Sequence, residues 1–200
     1  FIWAYAITNP GVNSLRTPVF AEMVNIVNDT DVTFNNFLFD ETRFRAQFSN
    51  YVFSNNRAIT KSMITWWAYT FATQPLLSLE NAFDIEHIFP RNRQQKENSL
   101  KNPHSLEMLG NKSLLERRIN IRASDYRFAD KIKYYMGFQT SKGQKEGTNI
   151  TELKMLANEL ADYTERNITE RSERILDGFV EYLKTNALIK SSKELNPINA

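Results

Sequence analysis

The feature that most constrains this chain is a change of apolar periodicity in its middle. Phe83, Ile85, Ile88 and Phe89 are good strand residues in a run that Pro90 closes. Gly110-Asn111 then signals a turn, and Lys112 to Glu116 reads as a second short strand. Arg117 to about Met136 reads as helix, with Ile119, Ala123, Phe128 and Ile132 among its apolar positions. Between the two strands, Arg91 to Ser105 is polar, is broken at Asn102-Pro103, and reads as a loop or excursion. Strand character is confined to these two runs. The fold expected is therefore α+β and mainly α-helical: a helical domain with one embedded ββα unit.

The flanks are helical by spacing. Thr17-Pro18 looks like a helix start, with Thr17 as N-cap, followed by Val19, Phe20, Met23, Val24 and Val27. Asp40 can cap a second helix, whose apolar stripe is Phe44, Phe48, Tyr51 and Val52. A third runs from about Thr60 to Thr70 and carries Met63, Ile64, Trp66 and Trp67, which at this spacing read as core rather than as a base-stacking platform. Gln139 to Asn149 reads as a polar linker. Two C-terminal helices follow, with capping-box spacing at Asn149/Glu152 and Asn167/Glu170. The last ten residues are expected to fray. The division implied is residues 1–78 as an N-terminal helical part, 79–138 as a ββα core, and 139–200 as linker and C-terminal helices.

Composition limits the chemistry. The chain has no cysteine and two histidines, His87 and His104. Disulfides and thiolate zinc sites are excluded, and a metal would be held mostly by oxygen ligands, which suits Mg²⁺ or Mn²⁺. No apolar run approaches the roughly 18 residues that span a membrane. The first residue is Phe, so the chain reads as part of a longer protein. Charge is unevenly placed: from Arg91 to Lys145 there are 13 Lys/Arg against 5 Asp/Glu, although the whole chain carries only +2. A basic segment that starts just after a Glu-His pair suits a polyanionic partner.

Breaking a phosphodiester requires an activated water, a counter-charge for the anionic transition state, and stabilisation of the departing oxygen. A histidine can take the proton from water, and a divalent cation can stabilise the charge. A carboxylate and an amide oxygen can hold that cation and leave positions open for water and phosphate. The central stretch supplies each group: His87 as base, Glu86 and Asn120 as ligands, and Asn111 at the turn, where it can tie the loop and orient His87. Strict strand alternation puts Asp84 and Glu86 on one face and His87 on the other, so Glu86 and His87 share a site only if the strand twists or ends near them.

The runs DIEHIFPR, LGNKSLLERRIN and RASDYRFADKIKYY resemble the HNH (His-Me finger, ββα-metal) nuclease domain of GmrSD-type restriction proteins. The resemblance implies that His87 is the general base, that Glu86 is an acidic metal ligand, that Asn111 is the middle Asn bracing the loop, and that Asn120 is the second ligand, with Asp84 auxiliary. It also implies a cytoplasmic, prokaryotic restriction enzyme that cuts modified or phage DNA. An N-terminal nucleotide-binding domain would precede this one in a longer chain. Arg91, Arg93, Arg117, Arg118, Arg122 and Lys131 are the residues expected to line the DNA groove. Cutting both strands with one such site needs a dimer or two nicking events. The competing reading is a catalytically silent DNA-binding or regulatory module.

Overall fold

The computed structural model describes residues 2–9, 11, 13–30, 39–186 and 188–189. The chain divides into two compact units, residues 1–51 with 176–200, and residues 52–175. The expected frayed tail at 191–200 lies outside the described residues.

The first unit holds helices α1 (Ile2–Thr8), α2 (Arg16–Val27) and α3 (Glu41–Asn50), with the end of the last helix of the chain. Its core is aromatic: Phe44 and Phe48 are buried, and Phe179 lies between Trp3 and Phe44, with ring centroids 5.5 and 5.7 Å away. The Asp40 carboxylate accepts from the Arg43 amide at 2.9 Å, so α3 begins where its capping residue predicts. α2 starts earlier than expected, at Arg16. Thr17 and Pro18 fall in its first turn, where the missing proline N–H has no partner to lose. The helical spacing of the α2 apolar residues is real, but Phe20, Met23, Val24 and Val27 are exposed rather than core.

The second unit contains α4 (Ala58–Ala68), β1 (Phe83–His87), α5 (Arg91–Glu97), β2 (Lys112–Glu116), α6 (Arg117–Ala123), α7 (Phe128–Met136), β3 (Gly137–Thr140), β4 (Gly143–Glu146), α8 (Thr151–Glu159) and most of α9 (Glu165–Thr185). β1 and β2 pair antiparallel, Phe83 opposite Glu116 and His87 opposite Lys112, and α6 follows β2 without a break. The expected ββα unit is therefore present, inside a mainly helical α+β fold. Its core joins Ile88, Phe89, Leu114, Leu115, Ile119 and Phe128. Trp67 belongs to the core as expected, and its indole N–H donates to Glu152 at 2.9 Å.

Three segments differ from the sequence reading. Arg91 to Glu97 is a short helix, begun by Pro90 in extended geometry and stopped by Asn98 in the left-handed region. The single helix expected from Arg117 to Met136 is two, because Ser124 adopts a positive φ between them. The supposed linker at 139–149 is largely the β3–β4 hairpin. Three of the four β4 residues are exposed, so backbone pairing holds this hairpin and no apolar alternation marks it. Gly137, with φ +83°, makes the turn out of α7 that a side chain would resist. The helix caps also shift: α8 is capped at Ile150, and the Asn167 amide oxygen reaches back to the Thr164 N–H at 2.9 Å, from inside α9.

Candidate active site

The turn before β2 is built around Asn111. Its Oδ1 accepts from the Phe89 N–H at 2.7 Å, and its Nδ2 donates to the Phe89 and Leu106 carbonyls at 3.1 and 3.0 Å. The Ile88 N–H donates to the Asn111 carbonyl at 3.0 Å. One fully buried side chain thus ties the residues just after His87 to the loop that precedes β2. A buried amide with three good hydrogen bonds fixes backbone geometry, because breaking any of them strands a desolvated polar group.

His87 ends β1, and its ring is mostly buried. Nε2 accepts from Arg91 Nε at 3.2 Å, is in close contact with Lys112 Nζ, and lies 3.7 Å from Glu107 Oε1. Burial, aided by the Lys112 and Arg91 charges and opposed by Glu107, lowers the His87 pKa to about 4. The imidazole is therefore neutral at physiological pH. The Glu107 carboxylate accepts from Lys112 at 2.8 Å and from Arg91 at 2.7 Å. Burial works against its ionisation, but contacts with His87, Lys112 and Arg91 hold it well below the usual carboxylate range. Lys112 is fully buried, also donates to Asn55 Oδ1 at 3.2 Å, and is lowered by that burial to about 8. The sequence does not single out Glu107 or Lys112. The only signal for Lys112 is its place directly across the strand pair from His87.

Glu86 faces away from this cluster. Its carboxylate is buried, and Oε1 accepts from Lys131 Nζ and from the Tyr135 hydroxyl, both at 2.6 Å. Lys131 Nζ also donates to the His87 carbonyl at 2.7 Å. Burial pushes the Glu86 carboxyl up, against the pull of Lys131 and Tyr135. Two expectations change here. Glu86 and His87 do not share a site, because the strand keeps its alternation to the end and points them to opposite sides. Lys131 does not line an open groove, because its ammonium is the buried partner of Glu86.

Asp84 and Asn120 are brought together instead. Asn120 Nδ2 lies 3.5 Å from Asp84 Oδ2, and Arg117 donates to Asp84 Oδ1 at 3.1 Å. Asp84 and Glu86 share a strand face as alternation requires, and meet α6 and α7 respectively. A carboxylate beside a carboxamide is an oxygen donor set suited to Mg²⁺ or Mn²⁺, since rotating the amide presents its oxygen. No group of three or more His, Cys, Asp or Glu that could hold a metal occurs among the described residues. A cation held by the Asp84 and Asn120 oxygens alone would keep several positions for water and phosphate.

The arginines divide. Arg91 is exposed, and Arg117, also exposed, borders Asp84. Arg118 is exposed and makes no ion pair among the described residues. Arg122 donates to the Arg118 and Glu146 carbonyls at 3.3 and 3.1 Å. Arg93 is turned inward: its Nη1 donates to both Asp162 carboxylate oxygens at 2.9 Å and its guanidinium lies over the Phe89 ring, so its charge is engaged inside the fold.

No helix among the described residues is long and apolar enough to cross a membrane. Neither a curated protein nor a solved structure matches the sequence. A family model does: residues 39–177 match the C-terminal domain of GmrSD restriction endonucleases. That match covers well over half of the chain, including every element of the ββα unit. The chain belongs to the family of GmrSD restriction endonuclease C-terminal domains.

Proposed function

We propose that this domain is a divalent-metal-dependent DNA endonuclease or nickase acting on modified or phage DNA. The observation that carries the reading is the β1–β2–α6 unit. It seats a neutral His87 beside a turn locked by Asn111 and aligns Asn120 with Asp84. In this reading His87 takes the proton from the attacking water. Arg91, the exposed donor on His87 Nε2, turns toward the entering phosphate, and Lys112, which also contacts that nitrogen, must release it before it can take a proton. Asn111 acts indirectly, by holding the backbone behind His87. Asp84 and Asn120 would hold the cation in place of Glu86, on the strand face opposite His87, so the substrate phosphate would have to span the edge of β1 between them. The bound cation would neutralise charge on the scissile phosphate and stabilise the leaving oxygen.

The test is single-turnover cleavage of plasmid and modified DNA across a metal titration. His87→Ala is expected to bind DNA but to cut on the order of 10²–10⁴-fold more slowly. Asp84→Ala and Asn120→Ala are expected to raise the metal concentration needed, with partial rescue by excess metal. Because His87 stays neutral down to about pH 4, the wild-type rate should show no acid limb from this group between about pH 6 and 8. Cleavage by His87→Ala at the wild-type rate overturns the assignment. DNA binding without cleavage by the wild type under every metal condition favours a silent DNA-binding module.

A further inference from the structure

The β3–β4 hairpin and α6 enclose a cleft of about 470 Å³ that the proposed chemistry does not use. Arg118 and Arg122 line it from α6, Gln144 and Lys145 from β4, and Asn81 and Asn149 from the loops before β1 and α8. Two acidic residues also border it. Glu116 is occupied, accepting from the Thr148 hydroxyl at 2.6 Å and from the Asn149 N–H at 2.7 Å, and Glu146 is exposed. The cleft is therefore not a pocket for an isolated anion. It offers three cations and three side-chain amides, the mixture that grips a phosphodiester backbone by charge and hydrogen bonds together.

The position of the cleft gives this mixture a use. α6 is a wall common to the cleft and the candidate active site. Arg117 and Asn120 turn toward Asp84, while Arg118 and Arg122 turn toward the hairpin. α6 has seven residues and so is only about 10 Å long, within the span of a few nucleotides of one strand. The hairpin wall is anchored: Arg122 holds the Glu146 carbonyl, and the Thr148 N–H donates to the Tyr135 carbonyl at 2.9 Å. Gly147 packs so closely that a Cβ there would lie 2.4 Å from the Tyr135 carbonyl oxygen.

We propose that this cleft is a DNA-backbone track, in which Arg118 and Lys145 contact phosphates flanking the scissile one while Asn81, Gln144 and Asn149 donate hydrogen bonds to the same strand. The proposal rests on the endonuclease reading and extends it to a surface on the other side of α6.

The experiment measures duplex DNA binding by the full chain carrying His87→Ala, over a salt series. Arg118→Glu with Lys145→Glu is compared with Arg118→Gln with Lys145→Gln, and with the control Arg166→Glu, an exposed residue of α9 outside the cleft lining. Both cleft pairs should weaken binding, by about tenfold or more for the charge reversal. The neutral pair should make the log–log salt dependence shallower by about 0.9 per lost phosphate contact. The control should change neither. Thermal melts check folding, and the glutamine pair keeps the test valid if the reversal unfolds the protein. Unchanged affinity and salt slope in both cleft pairs overturn the track. If wild-type cleavage then still depends on His87, the endonuclease reading survives without it. If the protein neither binds nor cuts DNA, both fall.

Discussion

Glu86 and His87 adjoin in sequence and face opposite ways, and under the proposed reading Asp84 takes the cation-holding role expected of Glu86. Glu86, expected to hold a cation, is locked by Lys131 and Tyr135 inside the fold, whereas Asp84 is partly open and meets Asn120. A buried pair and an open one respond differently to mutation. Removing one partner of the first strands a charge in a low-dielectric interior. Lys131→Met should therefore cost on the order of 3–5 kcal/mol in urea unfolding, with Glu86→Gln combined with Lys131→Met recovering much of it. Asp84→Asn removes only a half-exposed contact with Arg117 and should shift stability by at most about 1 kcal/mol while weakening metal binding. If Asp84→Asn and Lys131→Met produce the same stability loss, Asp84 has not taken the role expected of Glu86.

At the scale of elements, Gly110 shows how a correct sequence signal can carry a different physical reason. The Gly-Asn pair announces a turn, and a turn is there, but Gly110 has no positive φ. It is needed because α9 lies on its backbone: a Cβ would sit 2.0 Å from the Ile168 carbonyl oxygen and 2.7 Å from the Ser172 N–H nitrogen. Neither atom can yield without moving the helix. Gly110→Ala should thus cost at least about 1–3 kcal/mol, the range for overpacking, and should also slow cleavage by shifting Asn111. A Gly110→Ala protein of wild-type stability and rate would show that α9 tolerates displacement here. Much of the ββα unit was legible because its strands bury apolar residues and its turn is chemically marked. The hairpin at 137–146 was not, because its strands are stabilised by backbone pairing on an exposed surface. α5 was not, because a seven-residue polar helix has no apolar stripe. The exposed stripe of α2 fails the other way: periodicity reports conformation, and burial depends on what packs against it. At the candidate site, residue types and spacing singled out His87, Asn111 and Asn120, and the structure places Asn111 in the turn behind His87 and Asn120 beside Asp84. The choice between Asp84 and Glu86 depends on which helix each carboxylate meets, and spacing along one strand does not encode that.

Across residues 52–175 as a whole, one buried side chain joins the scaffold to the site. Arg171 forms a two-pronged ion pair with Glu152 at 2.8 and 2.6 Å, and Trp67 donates to the same carboxylate. Its remaining nitrogen donates to the Gly110 and Lys112 carbonyls at 2.8 and 2.7 Å, and the Tyr163 hydroxyl also donates to the Gly110 carbonyl at 2.8 Å. The guanidinium thus links α4, α8 and α9 to the backbone on both sides of Asn111. Its fork is the reason lysine cannot replace it, since one ammonium cannot span a carboxylate and two carbonyls in these directions. For an ordinary buried pair, replacing both partners by apolar residues often restores stability. Here it should not, because in either case the Lys112 carbonyl would lose its Arg171 donor and the Gly110 carbonyl would keep only the Tyr163 hydroxyl. Glu152→Met with Arg171→Met is therefore expected to stay several kcal/mol less stable than wild type and to lose cleavage activity as the turn around Asn111 loosens. The measurement is a double-mutant cycle by urea unfolding, with single-turnover rates taken where every variant is folded. Full recovery in the double variant would mean that Arg171 serves only Glu152, and that the site's turn is held by Asn111 and the close packing of Gly110 alone.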